Sequence, residues 1–235
     1  MRLRVLVPVL LIAASVPVAV GVANARVPRV PFSDTGLIIE VNGTDGDAGL
    51  QVSADGEPWD ALHVIAPDGE KILSIRTKSD LNGYGLTELF SESNEPPFDE
   101  VPFDEFKARF PEGVYTFRGR TVDGARLFGE AVLTHDVPDA PVMTWPQDGA
   151  VVPTGSLVVQ WEPVTTPAGI DIVGYQVVVV REDGSREIAA DLPPEATSLT
   201  LPVEFLESGA EYKAEVLAIE VSGNQTLTEV GFETE

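Results

Sequence analysis

The sequence predicts an all-β chain folded as two tandem β-sandwiches, and three observations carry the prediction. From Phe32 onward, apolar residues recur at every second position in short runs, the period of a strand with one face in a core. Gly, Pro, Asp and Asn separate these runs, as turns between strands require. Near the middle, "HDVPDAPVMTWPQDG" places Pro138, Pro141 and Pro146 within nine residues, a composition that stiffens a connection and cannot extend a sheet. The 235-residue length suits two domains of about 100 residues. The division falls near Val137, giving an N-terminal sandwich over 26–137 and a second over 138–235.

Residues 1–25 read as a signal peptide. Arg2 and Arg4 form a short basic start, "VLVPVLLIAASVPVAVGV" is apolar, and "ANA" supplies the small residues a signal peptidase accepts. Pro8 and Pro17 interrupt the run and no basic stop-transfer cluster follows, so cleavage is expected rather than anchoring. The chain has no cysteine, so an exported form holds together by its core alone, which points to a bacterial envelope.

In the first half, "TGLIIEVN" aligns Leu37, Ile39 and Val41 on one face, and "GLQVSA" aligns Leu50 and Val52. "LHVIAPDGEKILSIRT" is a hairpin turning at Pro67–Glu70, and "YTFRGRTVDGARLFGEAVLTH" another turning at Asp123-Gly124. Only "PFDEFKARF" carries helical spacing, through Phe103, Phe106 and Phe110. The segment "SESNEPPFDEVPFDE" between them holds six acids and three prolines. It fits either a recognition loop or a strap that covers a sheet edge.

In the second half, "SLVVQWEPV" turns Leu157, Val159 and Trp161 to one face, and "IDIVGYQVVVV" does so with Val173, Tyr175, Val177 and Val179. "LESGAEYKAEVLA" puts Leu206 six residues before Tyr212, with Ala214, Val216 and Ala218 alternating inward. Over about 95 residues this resembles a fibronectin type III domain, an immunoglobulin-like sandwich. The resemblance implies that Trp161 fills the space between two sheets. It also implies that Leu206 and Tyr212 form a tyrosine corner, whose phenol packs while its hydroxyl satisfies a backbone group. Ser208 and Ala210 stand where that family often has Pro and Thr. The first half echoes this in "PFDEFKARFPEGVYTF", where Tyr115 opens a strand after a glycine turn, so a related sandwich with Tyr115 in a corner is expected there.

No hydrolytic or phosphate-binding motif is present, and neither His63 nor His135 sits in a catalytic pattern. No enzyme and no cofactor are expected. The string "NGTDGDAGL" invites a calcium reading through Asp45 and Asp47. It fails the spacing of an EF-hand, because a loop counted from Asp45 puts Gly49 and Leu50 where a ligand and a glycine are needed. It resembles the Asp-x-Asp segment of cadherin repeats, yet Pro138 and Ala140 replace the asparagines of that family's linker. The competing reading is a turn in which Asn and Asp cap their own backbone.

Acidic residues number 38 against 15 basic ones, for a net charge of −23, and about −25 without residues 1–25. Such a surface disfavours nucleic acid and anionic membrane as partners, and leaves a protein or carbohydrate ligand and weak cation binding open. The expected function is a non-enzymatic binding or spacer module in a bacterial periplasm or outside the cell. A calcium-dependent adhesion-like module and accessory domains of a carbohydrate-active system are the alternatives.

Overall fold

The computed structural model describes residues 27–155 and 157–235; the expected signal peptide over 1–25 lies outside them. The first 110 or so of these residues form strands β1 (Arg29–Pro31), β2 (Asp34–Asn42), β3 (Asp47–Ile65), β4 (Lys71–Arg76), β5 (Leu86–Glu92), β6 (Gly113–Thr121) and β7 (Arg126–Leu133). Two short helices accompany them, α1 (Leu81–Tyr84) and α2 (Phe103–Arg109). The rest holds β8 (Met143–Trp145), β9 (Ala150–Val152), β10 (Val158–Trp161), β11 (Ile172–Arg181), β12 (Glu187–Leu192), β13 (Ser198–Thr200), β14 (Glu211–Glu220) and β15 (Gln225–Thr234).

The 19-residue β3 organises the first sandwich. Its first half pairs with β2 and β5, and its second half with β4 and β6. The register breaks between Asp55 and Trp59 and again between Trp59 and Ala61, and there the strand passes from one sheet to the other. A bulge of this kind bends a strand without ending it. Trp59 sits at the bend with no exposure, enclosed by Leu50, Val52, Leu62, Val64, Tyr115 and Phe117 in one core. The sequence pattern suggests two separate strands here; the structure makes them one, because "DGEP" continues the extended backbone through the bend. Strand β1 closes the second sheet by pairing in parallel with β7.

Helix α2 forms where the sequence pattern puts it. Asp104 and Glu105 lie in its first turn and Lys107 and Arg109 in its last, matching the helix dipole. Phe106 is buried, with Phe103 and Phe110 packed beside it. The acidic segment before it runs as a strap along the start of β3: Leu50 N–H donates to Ser93 Oγ at 2.9 Å, Phe98 N–H donates to Gly46 O at 2.8 Å, and Phe98 packs on Phe103 at 5.5 Å.

In the second sandwich β13, β10 and β8 make one sheet, and β12, β11, β14 and β15 make the other, with β9 parallel to β15. Leu157, Val159 and Trp161 face Tyr175, Val177, Val179, Tyr212, Ala214, Val216 and Ala218 across the core. Val173 departs from the expected inward row and is exposed, because the register shift between Ile172 and Gly174 turns it outward.

The two sandwiches share a sheet. Strand β2 pairs in parallel with β15 (Glu40 with Gln225, Val41 with Thr226, Asn42 with Leu227), so hydrogen bonding runs unbroken from β1 to β12. Asn224, 1% exposed, clamps the join. Its Oδ1 accepts from Ile39 N–H at 2.8 Å, and its Nδ2 donates towards Asp136 O at 2.8 Å and Thr134 O at 3.0 Å. Thr226 Oγ1 donates to Pro138 O at 2.6 Å. The proline-rich connection is therefore held along the seam. Gly43 is required there: a Cβ on it would lie 2.5 Å from the Cβ of Ala140.

Both corner tyrosines are fully buried. Tyr212 accepts from Glu207 N–H at 2.9 Å, and Tyr115 donates to Pro111 O at 3.0 Å. Burial, with Asp68 nearby, pushes the Tyr115 phenol up to about 12, which keeps it a donor. Tyr212→Phe leaves a backbone N–H without its partner and should cost about 1 to 3 kcal/mol. Trp161→Ala and Trp59→Ala should each cost about 3 to 5 kcal/mol through lost burial and a cavity. Urea unfolding of the single variants checks these values; neutral results at all three positions would remove the two cores as described.

Candidate functional site

The loop 43–46 between β2 and β3 is built as an Asx turn. Asn42 Oδ1 accepts from Thr44 N–H at 2.9 Å and Asp45 N–H at 3.1 Å, while Asn42 Nδ2 donates to Asp45 Oδ2 at 3.2 Å. Gly46 N–H closes the turn on Asn42 O, and its φ of 71° is the left-handed value that glycine adopts freely. Thr44 Oγ1 accepts from Glu229 N–H at 2.9 Å, so the turn also touches the second sandwich. Asp45 is thus engaged within the turn. Asp47 opens β3, and its Oδ1 is shielded from solvent without a hydrogen-bond partner. Burial, then Asp45 and Glu229, raise its pKa above the ordinary carboxylate value.

A different set of carboxylates converges beside this loop. Glu40 on β2, Glu92 on β5 and Glu95 on the strap bring ligating oxygens within 4.8 Å of one another. Pairing produces the cluster: Glu40 lies opposite Gly49 and Glu92 opposite Gln51, so the two glutamates flank β3. Glu95 lies over Gly49, where an added Cβ would come 2.5 Å from its Oε1. Gln51 Nε2 donates to Glu92 Oε1 at 3.0 Å, and Gln225 of the second sandwich donates to Glu40 Oε2. Among the described residues, no group of three such ligands includes Asp45 or Asp47. The sequence-predicted pair and the convergent trio are neighbours but not one ligand set.

Three carboxylates this close cannot all ionise without cost. Burial, then Glu92, Asp47, Glu40 and Asp45, push Glu95 up to about 7, and burial raises Glu40 as well. Chemically the cluster can hold a proton shared among its members, or accept a cation. The two histidines lie elsewhere. His135 Nε2 meets Phe110 O at 2.8 Å, and His63 faces the outer surface of β3, its pKa lowered by burial and then by Lys71 and Arg76. Among the described residues neither imidazole is hydrogen-bonded to a side chain, although the His135 backbone N–H donates to Glu112 Oε1 at 2.8 Å.

The strand arrangement of the second half decides its architecture: a three-stranded sheet against a four-stranded one, a tryptophan between them and a tyrosine corner. The second sandwich has the fibronectin type III fold. The first shares its plan, with β2, the first half of β3 and β5 opposite β4, the second half of β3, β6 and β7. No family model matches the chain, and no curated protein does. Among solved structures, a segment of two fibronectin type III domains from chicken tenascin is 13% identical and covers 86% of this chain and 98% of its own, at a TM-score of 0.31. The fibronectin type III domain of the human collagen alpha-1(XX) chain is 23% identical over 41% of this chain and 82% of its own, at 0.31. The chicken CNTN1 FN1–FN3 domains are 16% identical over 88% and 68%, at 0.30.

The carboxylate cluster dictates a pH dependence. A carboxyl raised in the fold stabilises it below its unfolded value of 4.5 and loses that contribution as pH rises through about 7. Glu95→Gln should therefore gain stability over the natural chain at pH 8, by about 1 to 2 kcal/mol after solvent screening is discounted, and little at pH 4.5. Thermal melts of both proteins across that window read the difference. A constant difference would mean that burial and the neighbouring carboxylates do not raise Glu95.

Proposed function

We propose that this chain is a non-enzymatic binding and spacer module in which two sandwiches act as a single stiff body, exported to the periplasm or outside a bacterial cell. The observation that carries the reading is the shared sheet between β2 and β15, sealed by Asn224. A flexible tether would use a polar linker with free backbone groups; this connection gives its carbonyls at 134, 136 and 138 to side chains of the second sandwich. Rigid spacing suits a module that presents a surface at a fixed distance. We place the division between the units at 137/138. Among the described residues, no helix is long and apolar enough to cross a membrane.

In this reading Asp45 and Asp47 are turn residues, and Asp45's bond with Asn42 supports that over calcium-dependent adhesion. An accessory role beside a carbohydrate-active enzyme would draw on a platform of exposed aromatics. Of the three tryptophans, Trp59 and Trp161 are buried in support of cores, and Trp145 is exposed.

Small-angle scattering tests the stiffness. The natural chain should fit one fixed arrangement of the sandwiches, and Asn224→Ala should broaden the distance distribution while lowering stability by about 1 to 3 kcal/mol. A natural chain that scatters as a flexible pair, indistinguishable from the variant, would overturn the reading. Export is tested separately: mass spectrometry of the protein recovered outside the cytoplasm should find Arg26 at its N-terminus, and a form retaining residues 1–25 would refute cleavage.

A further inference from the structure

A chain of net charge −23 carries one basic face. Across the outer surface of the second sheet of the first sandwich, the pairing aligns Arg76 on β4, Ala61 on β3, Arg120 on β6, Arg126 on β7 and Arg29 on β1 in one row. Strands lie about 4.8 Å apart, so the row spans roughly 19 Å. The adjoining row adds His63, Arg118 and Phe128. A concavity of ≈ 690 Å³ opens among Arg29, Arg118, Arg120, Arg126 and Phe128, with Glu130 as the one acidic residue of its lining.

Like charges opposite one another weaken a sheet, so this row costs stability and calls for a compensating anion. Among the described residues one ion pair supplies it: Arg120 pairs with Asp60, the extra residue of the β3 bulge. Among the described residues, Arg29, Arg76, Arg118 and Arg126 have no carboxylate within ion-pair distance, and residues 1–26 contain no Asp or Glu that could supply one. Arg29 instead stacks on the Phe128 ring at 4.4 Å, which fixes the guanidinium in place. Guanidinium forks on rigid strands suit carboxylates, which they bind through two parallel hydrogen bonds.

We propose that this face binds an acidic, partly apolar polypeptide segment of another protein. Charge complementarity selects the anion, and the rest of the face selects the class. Further along β6 and β7, on the same side and beyond the Thr116–Glu130 pair, Val114 and Val132 form an exposed cross-strand pair, 47% and 59% exposed. Carboxylates beside aliphatic side chains match arginines beside valines. A nucleic acid or an acidic polysaccharide offers nothing to the valine pair, and a long polyanion meets repulsion from the acidic remainder of the chain. This inference deepens the binding half of the proposed function; the scattering experiment above tests the spacer half independently.

The test is fluorescence anisotropy with the whole chain and a labelled ten-residue peptide carrying six glutamates and two leucines. Binding should weaken with added salt. It should fall at least tenfold in Arg118→Gln/Arg126→Gln, and stay within twofold in the charge-matched control Lys78→Gln/Lys107→Gln. The same peptide with glutamine for glutamate should not bind, and replacing its leucines by serine should weaken it several-fold. Circular dichroism melts establish that the variants are folded. Absence of peptide binding, an equal loss in the control, or tighter binding of an oligogalacturonate or a single-stranded oligonucleotide of the same charge would overturn the proposal.

Discussion

Asn224 joins what would otherwise be two independent sandwiches, and the long-range order of the molecule depends on the four groups that its amide reaches: Ile39 N–H, Asp136 O, Thr134 O and Thr134 Oγ1. Its carbonyl oxygen takes the Ile39 N–H that the end of a parallel pairing leaves over, and its amino group takes carbonyls of the connection. A buried amide satisfied on both ends contributes more through what its absence would leave unpaired than through the bonds themselves. The position is specific to an amide. Aspartate could accept from Ile39 but would set a charge against carbonyl oxygens, and leucine would leave both partners bare. Because the join is a sheet pairing rather than an apolar patch, it fixes register as well as proximity. Gln225 and Glu229, the next outward residues of β15, are thereby delivered to Glu40 and to the Thr44 turn. The seam thus adds Gln225 to an acidic cluster that β2, β5 and the strap assemble along β3.

The bend in β3 does for the first sandwich what the seam does for the pair. Two strands joined by a loop would place the halves of this segment on opposite sheets at the cost of ordering the loop. One continuous strand with a bulge reaches the same geometry with its backbone already extended. Trp59 is the residue that such a bend needs, since a large apolar ring can fill the wedge where the sheets diverge.

The alternation of Leu37, Ile39, Leu157, Val159 and the residues after Tyr212 made both cores legible in the sequence, because local periodicity encodes which face is buried. Turn chemistry did the same for the hairpins at Pro67–Glu70 and Asp123-Gly124. What local pattern does not encode is pairing between distant strands. Nothing around Glu40, Glu92 or Glu95 signals that β5 and the strap will lie along β3, so the carboxylates look scattered along 55 residues of chain. The union of β2 with β15 was hidden for the same reason: parallel neighbours 185 residues apart leave no trace in either segment alone. Asn224 reads in sequence as the first residue of an N-x-T string, and only its burial reveals a structural amide. Val173 was misplaced because a bulge shifts the alternation by one, and period-two reasoning has no means to detect it.

Net charge misleads in the same way that local pattern does, because it averages over surfaces that the fold separates. Strand β3 carries both extremes. Its first half lies among Glu40, Glu92 and Glu95, where burial and then repulsion push a carboxyl up to about 7; its second half lies under Arg76, Arg118 and Arg120. With a screening length of about 8 Å at physiological ionic strength, the two halves of one strand are electrically distinct environments. A pattern that segregates charge this way is unfavourable within each patch, and the acidic half relieves itself by taking up protons. Arginine has no such escape, since it keeps its charge at every accessible pH. Beyond the Arg120–Asp60 pair the basic half has no ion pair among the described residues, and that asymmetry, more than the overall charge, sets the face of β3, β6 and β7 apart.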